Sequence, residues 1–123
     1  MNARGILTGA GILLALAVAF GAVGTHVMRG RVTPDQLALY ETAARYHFYN
    51  ALGLLGIGAV ALSWDSAWLR FSAGLVIAGI VLFSGALYLA SLGAPRVIHI
   101  FPPLGGIAWI AGWLAFAVAA WRR

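Results

Sequence analysis

Four stretches of the chain, Gly5 to Val23, Tyr49 to Trp64, Phe71 to Leu92 and Phe101 to Trp121, contain no aspartate, glutamate, lysine or arginine. A spanning helix needs about 20 apolar residues at 1.5 Å rise each. The expected fold is therefore all-α: a polytopic four-transmembrane-helix bundle with crossings at about 5–24, 46–64, 71–92 and 101–121, forming one membrane domain over residues 1–123. Composition points the same way. The chain is 63% hydrophobic and 9% charged, against about 45–50% and about 25% in soluble domains, which excludes a soluble globular protein or a disordered tail. The first run also resembles a secretory signal, with Arg4 ahead of it and Ala17-Val18-Ala19 as a cleavage-like site. Its length exceeds the usual signal-peptide core, so it reads as a retained helix.

The one long hydrophilic interval, His26 to Tyr49, does not read as a plain loop. Thr33 before Pro34 is a good helix start, since the hydroxyl can accept an orphan amide and proline suits the first helical position. Leu37, Tyr40, Ala44, Phe48, Ala51 and Leu55 recur at three- and four-residue steps and predict one apolar stripe running into the next crossing. The expectation is an interfacial amphipathic helix over about 34–46, between helices 1 and 2, leading directly into the membrane. Glu41 and Arg45, at i,i+4, are the expected ion pair. Trp64 and Trp68 flank the next break, where Asp65 or Ser66 can cap the following helix. Gly93-Ala94-Pro95 ends the third crossing, and Trp121-Arg122-Arg123 anchors the fourth.

Eight arginines against three acids give a net charge of +5. A soluble chain so basic would suggest nucleic acid, but these arginines lie between apolar runs and read as headgroup anchors. Four crossings place both termini on one side with Arg4, Arg70, Arg122 and Arg123, opposite Arg29, Arg31, Arg45 and Arg96. Arg45 belongs to a helix rather than a loop and the amino terminus adds charge, so both termini are expected in the cytoplasm. The absence of cysteine excludes a disulfide framework, a thiolate nucleophile and cysteine-ligated metals.

Small residues recur at helix-packing spacing, as in Ala17-x3-Gly21, Gly74-x3-Ala78 and Ala108-x3-Gly112. Gly21, Gly24, Gly74, Ala78, Gly85, Gly105, Gly106 and Gly112 are the candidate packing positions, serving the bundle itself or a homo-oligomer seam. The three histidines, His26, His47 and His99, fall on one side of the membrane. His26, His47, Asn50 and Tyr88 form the candidate polar cluster, since polar groups entering the bilayer need partners. No pair of histidines has tight ligand spacing, and no charged residue lies inside a span, which weighs against a proton-coupled transporter.

Several segments resemble a known family. Gly21-Ala22-Val23-Gly24-Thr25-His26 is similar to the GAFGAH signature of the YgdD-like small inner-membrane proteins, a bacterial family classed as a domain of unknown function, with transmembrane protein 256 as an animal relative. Tyr46-His47-Phe48-Tyr49-Asn50-Ala51-Leu52 resembles the family's YQxxHAL, Leu82 to Tyr88 its LFSGSLY, and Pro103-Leu104-Gly105-Gly106 with Gly112-Trp113 its TPxGG followed by GW. The family's second-motif histidine falls on Asn50, and His47 occupies its glutamine position. Thr25 replaces an alanine, and His99 has no motif counterpart. The resemblance implies a four-helix inner-membrane protein with both termini inside and no established reaction.

The resulting expectation is a non-enzymatic membrane protein with no cofactor, whose partners are the lipid bilayer and a second copy or another membrane protein rather than nucleic acid. Two alternatives stay open. One is an oligomeric channel or small-solute transporter lined by the GAVGTH and PLGG turns. The other is a haem or metal site on the face holding His26, His47 and His99.

Overall fold

The computed structural model describes residues 1–123 and consists of four helical rods joined by three short turns. They are α1 (Ala3–Met28), α2 (Pro34–Ser63), α3 (Ala67–Ser91) and α4 (Arg96–Arg122). Each start has a local cause. Asn2 Oδ1 accepts the Gly5 amide at 2.9 Å. At α2, Thr33 Oγ1 accepts the Gln36 amide at 3.1 Å while Gln36 Oε1 accepts the Thr33 amide at 2.9 Å, a reciprocal capping box with Pro34 inside it. Ser66, not Asp65, caps α3 by accepting the Trp68 amide at 3.2 Å, and Asp65 instead pairs with Arg70. The two other turns hold the positive-φ residues, Gly30 at 84° and Gly93 at 92°, where a side chain would be strained.

α1, α3 and α4 are long and apolar enough to cross a membrane. α2 is the longest rod at 30 residues, but Asp35, Gln36, Glu41, Arg45, His47 and Asn50 lower its apolar character. It runs unbroken, so residues 34–46 and 46–63 are one rod.

The buried face of α2 differs from the expected stripe. Tyr40, Ala43, His47, Asn50, Ala51, Leu54, Ile57 and Gly58 point inward, whereas Phe48 and Leu55 are each 39% exposed. The inward face is the one that gives His47 and Asn50 hydrogen-bond partners on α1, α3 and α4. Polar residues therefore set which face turns in.

α1 packs along α2, α3 along α4, and α2 and α3 join the two pairs. Ile6, Ala10, Ala51, Leu54, Ile57, Leu69, Ala73, Val76, Ile80, Trp109 and Ala119 make one continuous core. Outside it, Val18, Leu62, Val81, Ile107, Ile110 and Leu114 are 62–64% exposed, an apolar surface suited to lipid. Both termini lie at one end of the bundle with the α2–α3 turn. Met1 and Asn2 line a pocket with Asp65 and Arg70, and the Arg123 guanidinium sits 5.0 Å over the Trp64 ring. The Arg29–Thr33 and Leu92–Pro95 turns occupy the opposite end.

Candidate functional site

The polar residues of α2 organise two nodes. In the first, His47 is 2% exposed, with its Nε2 at 2.8 Å from the Leu13 carbonyl of α1 and its Nδ1 at 2.9 Å from the Tyr88 hydroxyl of α3. A carbonyl only accepts, so Nε2 carries the proton. In the neutral ring Nδ1 then accepts from Tyr88. The Tyr88 ring lies 4.9 Å from Phe20 and 5.0 Å from Tyr40 between centroids, and the Tyr40 hydroxyl donates to the Phe20 carbonyl at 2.7 Å. Three helices thus meet on one hydrogen-bonded aromatic cluster. The α1 acceptors, Leu13 and Phe20, are two turns apart, as are the α2 donors, His47 and Tyr40, which fixes the antiparallel register.

The second node joins α2 to α4. Asn50 Oδ1 accepts from Trp113 Nε1 at 3.1 Å, and Asn50 Nδ2 donates to the Tyr46 carbonyl at 3.0 Å. Tyr46 stacks on Trp109 at 6.0 Å, and Trp109 Nε1 donates to the Val76 carbonyl at 3.1 Å. Ser84 donates to the Ala43 carbonyl at 2.8 Å and Ser72 to the Gly112 carbonyl at 2.7 Å. Every buried side-chain nitrogen and oxygen has a partner.

Two motif segments adopt the wider π geometry: Gly24–Met28 at the end of α1 and Ile80–Gly85 within α3. Such insertions shift the side chains that follow them around the helix. The first brings Gly24 under Tyr40, where an added Cβ would lie 2.8 Å from the ring. The second brings the Phe83 backbone onto Gly105, where an added Cβ would lie 2.5 Å from the Phe83 nitrogen.

Of the candidate cluster, the structure brings His47 and Tyr88 together and seats Asn50 in the neighbouring node. His26 is exposed and apart, as is His99 in the 3-10 turn Arg96–Ile100. No group of three histidine, aspartate or glutamate side chains is placed to hold a metal ion, and both His47 nitrogens are already engaged. The three histidines of the metal or haem alternative are therefore not gathered into one three-ligand set. Glu41 lies 3.7 Å from Arg29 rather than pairing with Arg45, because the guanidinium beyond α1 reaches the start of α2 and both groups are exposed.

Among the candidate packing positions, Gly24, Gly105 and Gly112 meet neighbouring helices closely. An added Cβ on Gly21, Gly74 or Gly106 would meet nothing within 4 Å, and one on Gly85 only the Ile80 carbonyl at 4.0 Å. Ala78 is half-buried. Three unanticipated contacts are comparably close: Gly53 under Trp113, Gly58 against Leu7 and Gly79 against Trp109. For the two indole contacts the tryptophans were the available signal, since a buried indole needs a small residue opposite and an acceptor for its N–H.

An apolar cleft of about 450 Å³ also opens between the ends of α1 and α3, lined in part by Tyr40 and Tyr88.

The family described as "Protein of unknown function (DUF423)" matches residues 20–106. This chain belongs to the DUF423 family. The matched span includes Tyr40, His47, Asn50, Ser84 and Tyr88, most of the polar network. The chain is 40% identical over 106 residues to the UPF0382 membrane protein YwdK of Bacillus subtilis (strain 168), covering 85% of this chain and 86% of that one. It is 34% identical over 107 residues to the UPF0382 membrane protein SAB0533 of Staphylococcus aureus, covering 87% of each. To the UPF0382 inner membrane protein YgdD of Escherichia coli (strain K12) it is 32% identical over 122 residues, covering 99% of this chain and 93% of that one. No solved structure matches. DUF423 membership and three membrane-capable helices make this a membrane protein of an uncharacterised family.

Proposed function

We propose that this DUF423 protein crosses the bacterial inner membrane four times, with both termini in the cytoplasm, and acts without chemistry of its own, through the contacts its outer helix faces make with partner helices. One observation carries the reading: every buried polar side-chain atom already bonds within the bundle, so these groups serve to join the helices. The buried polar residues are a histidine, an asparagine and three serines, with no buried carboxylate or cation. The outward surface is apolar, and contact there would involve packing rather than catalysis. A fourth crossing by α2 is supported by its place between α1 and α3, with Leu54 and Ile57 in the shared core and Leu52, Leu55 and Leu62 exposed.

The cysteine-free sequence allows a direct topology test. Single cysteines at positions 2, 65 and 123 are expected to react with an impermeant maleimide only in inverted vesicles, and those at 31 and 94 only in whole spheroplasts. Labelling of 31 and 65 from the same side would overturn the four-crossing reading. For function, native mass spectrometry from membranes is expected to find a fixed stoichiometry with a second copy or another membrane protein. Solute flux through liposomes holding the purified protein alone would instead favour the channel alternative.

A further inference from the structure

The cleft between α1 and α3 has walls of Val23 and Val27 on one side and Leu89 and Leu92 on the other. Tyr40 and Tyr88 also line it, with their hydroxyls engaged by the Phe20 carbonyl and His47. The walls are 39–66% exposed, so the cleft is open to the surrounding lipid. Met28 and Leu92 of its lining lead directly into the turns that carry Arg29, Arg31 and Arg96. Of the acids at this end, Glu41 lies by Arg29 at 3.7 Å and Asp35 sits in the first turn of α2. Arg31 and Arg96 have no carboxylate partner.

We infer that this cleft is a binding site for one anionic phospholipid, with an acyl chain between Val27 and Leu92 and the phosphate at Arg31 and Arg96. The apolar walls suit a hydrocarbon chain, and a guanidinium presents paired donors that match phosphate oxygens. A zwitterionic lipid fills the walls equally well but gains less from the two uncompensated arginines. Each arginine near the membrane surface is worth about fivefold in anionic-lipid binding. The site rests on the four-crossing reading, since α1 and α3 end on one face only if α2 spans between them, but it requires no protein partner; the cysteine-labelling pattern tests the crossing separately from lipid retention.

The test is native mass spectrometry of the full chain released from nanodiscs containing equal phosphatidylglycerol and phosphatidylcholine. The wild type is expected to retain phosphatidylglycerol preferentially. The double variant R31Q/R96Q is expected to lower that preference about 25-fold, from about fivefold per arginine, while R122Q/R123Q at the opposite end, away from the cleft, lowers it by clearly less. Gly85 lines the cleft, and a Cβ there meets nothing closer than 4.0 Å. Gly85→Leu therefore extends into the cleft and is expected to displace the bound lipid. Equal retention of the two lipids by the wild type, equal effects of the two arginine pairs, or undiminished retention by a folded Gly85→Leu would each overturn the inference. Should Gly85→Leu fail to fold, the exposed arginine pairs decide alone.

Discussion

The seam between α1 and α2 and the seam between α3 and α4 each hold two side-chain-to-carbonyl hydrogen bonds and close glycine contacts, but they differ in where the donors sit. In the first, both donors, Tyr40 and His47, come from α2 and reach two α1 carbonyls two turns apart, with Gly24 under Tyr40 and Gly58 against Leu7. In the second, Ser72 of α3 and Trp109 of α4 each donate to the other helix, with Gly112 against Ser72 and Val76 and Gly79 against Trp109. Lipid tails are as apolar as leucine, so burying hydrocarbon brings helices together only weakly in a bilayer. Hydrogen bonds and dense packing remain as sources of specificity, and both seams use both. Removing donors should cost stability in steps of one bond, from one helix at the first seam and from either helix at the second. Adding volume at a close glycine contact should make a seam fail abruptly.

The sharpest break is expected at Gly105, where the atom in the way belongs to the Phe83 backbone rather than to a movable side-chain tip. Gly105→Leu should cost about 3 kcal/mol or more, the upper end of overpacking effects, read as loss of the cooperative thermal transition in detergent. His47→Ala should cost about 2 kcal/mol, since membrane hydrogen bonds average about 0.6 and reach about 1.7 kcal/mol each and two are lost. Circular-dichroism melting checks it. Tyr88→Phe should cost about 1 kcal/mol. Combined with His47→Ala it should add less than its single cost, because the same bond is removed twice. Full additivity would mean that the Tyr88 hydroxyl has another partner. The smallest effect belongs to Gly74→Ala, which meets open space and should change stability by no more than about 0.5 kcal/mol. A large loss there would show a contact to another chain on that face.

The rods and their punctuation were legible in the sequence. Thr33-Pro34 starts α2, Gly93 and Pro95 stand between α3 and α4, and the uncharged runs mark the apolar lengths. The facing of α2 was less so, because a stripe of leucines and aromatics signals the interior only when the surroundings are water. Tyr40 and Ala51 lie on both the expected and the observed faces, while Phe48 and Leu55 turned outward. The site was half legible. His47, Asn50 and Tyr88 stood out as polar groups in apolar runs, but their separation into two nodes depends on helix rotation and on the π segment of α3. Small-residue spacing picked out Gly112 and also Gly74, since a chain with 16 glycines offers many such pairs and only some oppose a large side chain.

The α1–α2 bonds have a consequence for how the two helices tolerate change. Both donors are side chains of α2, and both acceptors are main-chain oxygens of α1. Residue identity at Leu13 is then free to drift among helix formers without losing the bond, whereas positions 40 and 47 are not. Insertions invert the pattern of ordinary loops and helices less simply: one extra residue in the Arg29–Thr33 turn leaves both acceptors where they are. One between Leu13 and Phe20 swings them apart by about 100°. α1 thus behaves as a ruler whose markings matter more than the letters written on it.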